Sequence, residues 1–172
     1  MSTLRAIGCC ALLALAIAPA ANGQQGDVRQ GFWIGGGLGY GTLGCNGCDR
    51  LGGVSGYLKL GGTLRQNILL GVEINGWGKS EFGQTMTMGN MSGAAYWYPV
   101  SNGGLFLKAG LGYSVMDDGF SSETGLGLLG GLGYDIRVGR NVSVTPVANW
   151  YRGSFNPGGL NVLDIGLGIT SH

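Results

Sequence analysis

The residues that could do chemistry are few and widely spaced. Seven charged residues, Lys59, Glu73, Lys79, Lys108, Asp135, Arg137 and Asp164, interrupt stretches that are otherwise apolar or glycine-rich. Cys45-Asn46-Gly47-Cys48 brings two thiols close in sequence, Asp117-Asp118 offers adjacent carboxylates, and His172 is the only histidine. The charges suit either a salt-bridged plug or a narrow ion path, because charges removed from water must find partners. The cysteines suit a disulfide, and the carboxylates and the imidazole suit acid–base work.

Catalytic readings fail on residue type and placement. A Ser–His arrangement needs an imidazole base on a rigid element, whereas His172 is expected to fray. Asp117-Asp118 lies beside Gly119 and reads as a solvated turn. Zinc wants about four ligands, and the cysteine pair has no second pair or nearby histidine. A thioredoxin-like role wants a helix N-terminus after a strand, and none is legible here. The many Gly-x-Gly matches lack a following helix, so they mark strands rather than nucleotide phosphates. No catalytic residue, cofactor or metal is expected, and the chain reads as a non-enzyme. In Cys45-Asn46-Gly47-Cys48, Asn-Gly favours a tight turn. In an oxidising compartment that turn predicts a Cys45–Cys48 disulfide.

What must position these residues is a period of two. In 31-GFWIGGGLGYG-41, Phe32, Ile34, Leu38 and Tyr40 share one parity, while glycines fill the other behind Trp33. That is the strand period, not the helical one. The pattern recurs over eight segments: 31–43, 53–64, 68–79, 86–98, 105–115, 125–138, 142–151 and 161–170. Each is about ten residues, the length a tilted strand needs to cross a bilayer. Connections at 65–67, 99–104 and 139–140 read as short, and those at 44–52, 80–85, 116–124 and 152–160 as longer.

Sorted by parity, Leu126, Leu128 and Leu132 oppose Gly127, Gly131, Gly133, Asp135 and Arg137, and the other segments divide similarly. The expectation is an inside-out barrel, with bulky residues facing lipid and the small or charged parity facing in. Eight strands enclose an interior only wide enough for side chains, so the seven charges are expected to form an interior cluster. Aromatics near strand ends, including Trp33, Trp77, Tyr98 and Tyr151 with Tyr40, Trp97, Tyr113, Tyr134 and Trp150, suggest girdles at the two interfaces.

The first 23 residues read as a secretory signal. Arg5 precedes an apolar run from Ala6 to Ala18, and small-x-small sites end at Gly23 and at Ala20. Residues 24–172 then form one barrel domain, with nine Lys and Arg against nine Asp and Glu once Arg5 is removed. A neutral chain without a basic stripe argues against nucleic acid. Charged residues are only 11 % and glycines number 38, a composition that fits neither disorder nor, lacking a three-residue period, collagen.

The segments GFWIGGGLGYG, AAYWYP, LFLKAGLGYS, GLLGGLGYDIRVGRNVSVTPVANWYRGSF and DIGLGIT resemble the small outer-membrane β-barrel family of Gram-negative bacteria, the porin-family or OmpA-like barrel domain. The resemblance implies an all-β, eight-stranded antiparallel up-and-down transmembrane barrel in the outer membrane, with both termini in the periplasm. It implies contact with outer-membrane lipid and lipopolysaccharide and delivery by the barrel-assembly machinery. Family members often end in Phe or Trp, whereas this chain ends Ile169-Thr170-Ser171-His172. The functional expectation is a monomeric integral barrel with a structural or surface-interaction role. The alternatives are a soluble lipocalin-like ligand-binding barrel in the periplasm, or a narrow ion-conducting barrel.

Overall fold

A computed structural model describes residues 29–45, 47–81, 83–155 and 158–172. The expected signal segment and both cleavage positions lie outside them. Among the described residues nine strands run in chain order: β1 Phe32–Cys45, β2 Leu51–Arg65, β3 Ile68–Glu81, β4 Gln84–Trp97, β5 Leu105–Asp117, β6 Ser122–Tyr134, β7 Ile136–Arg137, β8 Val142–Ser154 and β9 Gly159–Ser171. Every neighbour is antiparallel, and β1 pairs with both β2 and β9, which closes the sheet. β6 and β7 are two parts of one barrel strand, since both pair with β8. The fold is therefore the expected closed eight-stranded barrel.

The faces follow sequence parity. Phe32, Leu38, Leu58, Leu111 and Ile165 point outward and are 63–73 % exposed. Their opposite-parity neighbours Trp33, Tyr57, Lys59 and Asp164 are buried. A continuous apolar exterior over a closed hydrogen-bonded ladder is what hydrocarbon requires, because lipid offers backbone groups no partner. It is also the reverse of the polar exterior that the lipocalin-like alternative needed.

Three features differ from the sequence reading. First, the segment 125–138 is not continuous. Asp135 leaves the ladder between β6 and β7, and its N–H donates to the Gly104 carbonyl instead, at 2.9 Å. Second, connection lengths do not alternate as expected. At the end away from Arg29 and His172, only 46–50, 82–83, 118–121 and 155–158 join strands, and the longest connection, 98–104, is at the other end. All eight strands gain two or three residues at the first end and match the sequence reading within one residue at the second. The alternation fades there because outward positions become polar, as at Thr85, Thr87, Ser122, Thr124 and Ser154. Backbone pairing continues regardless, as in Glu81↔Gln84 and Asp117↔Ser122. Third, the aromatics do not all form girdles. Tyr40, Trp97, Tyr113, Tyr134 and Trp150 face out, but Trp33, Trp77, Tyr98 and Tyr151 turn inward with Tyr57, Tyr96 and Phe106.

Candidate functional site

Inward glycines thin the wall so that these rings fit. A Cβ at Gly61 or Gly71 would stand 2.8 Å from Trp33 Cζ2, and one at Gly133 would stand 2.5 Å from Phe106 Cζ. Trp33 and Tyr96 meet edge-on at 5.0 Å between centroids, and Phe106 packs against both Tyr96 and Tyr98. The interior is thus packed by aromatic side chains as well as lined by polar ones.

Within this packing the charges adopt distinct solutions. Glu73, fully buried, receives hydrogen bonds from the Lys108 ammonium and the Tyr96 hydroxyl. Lys59 is registered opposite Glu73 but makes no ion pair with it. Its ammonium sits 5.0–5.7 Å from the ring centroids of Phe106, Tyr96 and Trp33, a cage that stabilises a cation through the ring faces. Nearer the other end, Asn149 Nδ2 donates to Asp164 Oδ1 at 2.9 Å. Ser114 donates to Asn90 Oδ1 at 2.8 Å, and the Asn90 amide donates to Ser92.

The seven charges do not form one cluster. Lys79 lies near the end of β3, half-buried, and pairs with Glu81 at 2.9 Å. Arg137 is half-buried in β7, at the opposite end. Only Lys59, Glu73, Lys108, Asp135 and Asp164 are enclosed. Toward the end carrying Lys79 the interior turns apolar, with Leu43, Met88, Leu129 and Val162 buried among the aromatics.

Asp135 anchors a network at the terminal end. Tyr98 donates to Asp135 Oδ2 at 2.7 Å and Thr145 donates to Oδ1 at 2.6 Å, while Thr145 and Thr170 share a hydroxyl contact at 3.0 Å. His172 does not fray. Its side chain is 7 % exposed, its Nε2 stands 3.8 Å from Asp135 Oδ2, and its backbone N–H donates to the Asn141 carbonyl. The residue that sequence reasoning missed is Arg29. It is buried, its guanidinium lies 3.6 Å over the Tyr98 ring, and it donates to the carbonyls of Ser101 at 3.0 Å and Gly103 at 2.7 Å. It belongs to no alternating segment, so no periodicity could have marked it. Arg29→Ala should reduce stability by about 1–3 kcal/mol, through the lost ring contact and the carbonyls left without a donor. A lower urea midpoint in detergent would register it.

Cys45 and Cys48 are disulfide-bonded across the turn after β1, with Cα atoms 5.3 Å apart. Gly47 takes φ of 84°, a conformation side chains resist. So short a loop gains little from closure. Replacing both cysteines with serine should lower the unfolding free energy by no more than about 2 kcal/mol, read as a small shift of the same urea midpoint. Asp117 and Asp118 form the solvated turn expected of them. Ser121 and Phe120 N–H groups donate to Asp118 Oδ1 at 2.8 and 2.9 Å, which holds its carboxyl below the usual range, and Gly119 N–H donates to Asp117.

No family model matches the chain, and no curated protein matches its sequence. Solved structures match its fold. Neisserial surface protein A superposes with a TM-score of 0.61 at 15 % identity, over 81 % of this chain and 96 % of that one. Ail, the attachment invasion locus protein of Yersinia pestis, gives 0.59 at 12 %, over 83 % and 99 %. The N-terminal β-barrel domain of OprF from Pseudomonas aeruginosa gives 0.50 at 15 %, over 82 % and 98 %. The architecture is that of small outer-membrane barrels.

Proposed function

We propose that this chain is an integral outer-membrane barrel with a structural or surface-interaction role and no catalytic chemistry. The observation that carries the reading is the exterior. Apolar side chains ring a closed antiparallel ladder, and a soluble protein rarely exposes so large an apolar surface. The proposed orientation puts Arg29, His172 and the 98–104 connection in the periplasm, and the four short connections of the other end outside. The barrel acts as a monomer, reaches the membrane through the barrel-assembly machinery and is bathed outside by lipopolysaccharide. Similarity in fold to Ail, the attachment invasion locus protein of Yersinia pestis, supports a surface role.

The test is fractionation combined with a gel. The protein should partition with the outer membrane, and unboiled samples should migrate differently from boiled ones because the closed barrel resists detergent. Recovery in the soluble periplasm, with identical migration before and after boiling, would contradict the proposal.

A further inference from the structure

One sector of the outer wall carries two arginines. At the end away from the termini, Arg50 precedes β2 in the same parity as outward Val54 and Leu58, and Arg152 lies two residues beyond outward Trp150 on β8. The Arg50 guanidinium is fixed at three points. Nε donates to Thr42 Oγ1 at 2.9 Å, Nη2 to the Thr42 carbonyl at 2.7 Å, and Nη1 to Asn161 Oδ1 at 3.0 Å. Arg152 flanks Asn161 from the other side, since the two are registered across β8 and β9. Glycines make the floor. A Cβ at Gly44 would stand 2.9 Å from Arg50 Nη1, and one at Gly159 would stand 3.0 Å from Arg152 Nη2. Among the described residues, neither guanidinium has a carboxylate within ion-pair distance. The opposing charge nearest in sequence is Asp49, which is exposed.

A groove of about 450 Å³ runs down the outer wall from Thr42. Gly130 and Ala148 leave its floor low, and Leu132, Trp150 and Leu163 line it. Thr42 belongs to both parts, holding Arg50 above and edging the groove below. Two like charges held on either side of one asparagine repel each other, and an anion between them turns that repulsion into two charge-assisted hydrogen bonds. An apolar trough directly beneath a bidentate cationic pair matches a phosphorylated amphiphile: an anionic head at the boundary and a hydrocarbon chain below.

We propose that Arg50, Arg152 and this groove form a site for lipid A, the phosphorylated, acylated base of lipopolysaccharide. One phosphate lies between the guanidiniums and one acyl chain lies along Gly130 and Ala148. The choice of lipid rests on the orientation proposed above, which puts this rim in the leaflet where lipid A supplies the phosphates.

Protein folded in a non-ionic detergent and titrated with diphosphoryl lipid A should retain one lipid in native mass spectrometry. R50Q/R152Q should weaken retention at least about tenfold while keeping the boiled-versus-unboiled gel shift. R65Q/R140Q, at the opposite end, should retain lipid A like the wild type. Gly130→Leu should also weaken retention by filling the trough; the nearest atom to a Cβ there is Trp150 Cε3 at 3.7 Å, so the barrel itself accommodates it. Undiminished retention by R50Q/R152Q would overturn the site. Equal retention of phosphatidylglycerol would overturn lipid A in favour of an unselective anionic belt. Loss of the gel shift in the wild type, before any lipid is added, would instead sink the membrane reading beneath it.

Discussion

Glu73→Ala should destabilise the barrel by about 3–5 kcal/mol, because it removes the carboxylate that the buried Lys108 ammonium pairs with. Both side chains are essentially inaccessible, at 0 % and 1 % exposure. The Tyr96 hydroxyl loses its acceptor in the same step. Urea unfolding in detergent micelles, followed by tryptophan fluorescence, should show the midpoint falling sharply. Glu73→Ala/Lys108→Met should recover much of the loss, since a neutral pair removes the stranded charge. An unchanged midpoint for the single variant would mean that Lys108 finds another partner or sheds its proton, and that the Glu73 contact contributes little.

Gly61→Leu should prevent the barrel from closing, whereas Gly76→Leu should fold normally. The two glycines lie on neighbouring strands but face opposite ways. An inward Cβ at Gly61 would stand 2.1 Å from the Leu70 carbonyl oxygen and 2.6 Å from the Gly71 Cα, and backbone cannot retreat as a flexible side chain can. At Gly76 nothing lies within 4 Å, so an outward leucine enters hydrocarbon and adds apolar surface to the wall. The measurement is the fraction of protein showing the gel shift after refolding: close to none for Gly61→Leu, and wild-type or better for Gly76→Leu. The reverse order would invert the faces. The same geometry removes an expectation that a glycine-lined centre naturally raises. An inward Gly131→Arg looks tolerable if that side is polar and roomy, yet a Cβ there would stand 2.7 Å from the Ala148 carbonyl oxygen and 2.8 Å from Lys108 Cε. A second cation beside Lys108 adds repulsion to the clash.

The sequence disclosed the architecture because hydrocarbon imposes a strict rule on every second residue. Phe32, Leu58, Leu111 and Ile165 obey it, and the first, second and last of them fix the faces of Trp33, Lys59 and Asp164 by alternation alone. The rule lapses where the wall leaves the apolar zone, so the strand tips around Thr85, Ser122 and Ser154 read as loop although they are paired. Ion partners were illegible for a different reason. Glu73 and Lys108 stand on strands that do not pair with each other, β3 and β5, and their contact across the interior depends on strand stagger and on which rings fill the remaining space. That stagger is a property of the closed sheet, absent from any one segment. Asp135 shows the limit of parity from the other direction. Its alternation is regular and its burial follows, but its departure from the ladder answers to Gly104, thirty-one positions earlier.

In the proposed orientation, the short connections at the outer end set how tall the molecule stands. Two or three extra residues per strand, at about 3.3 Å each before tilt, raise a stiff rim of roughly 10 Å or less above the apolar wall. On an envelope carpeted with long sugar chains, so low a profile lies beneath the canopy. In that orientation folded partners of ordinary size would meet carbohydrate first, and the proposed surface role would fall to the lipids beside the barrel and to slender molecules able to thread down to it.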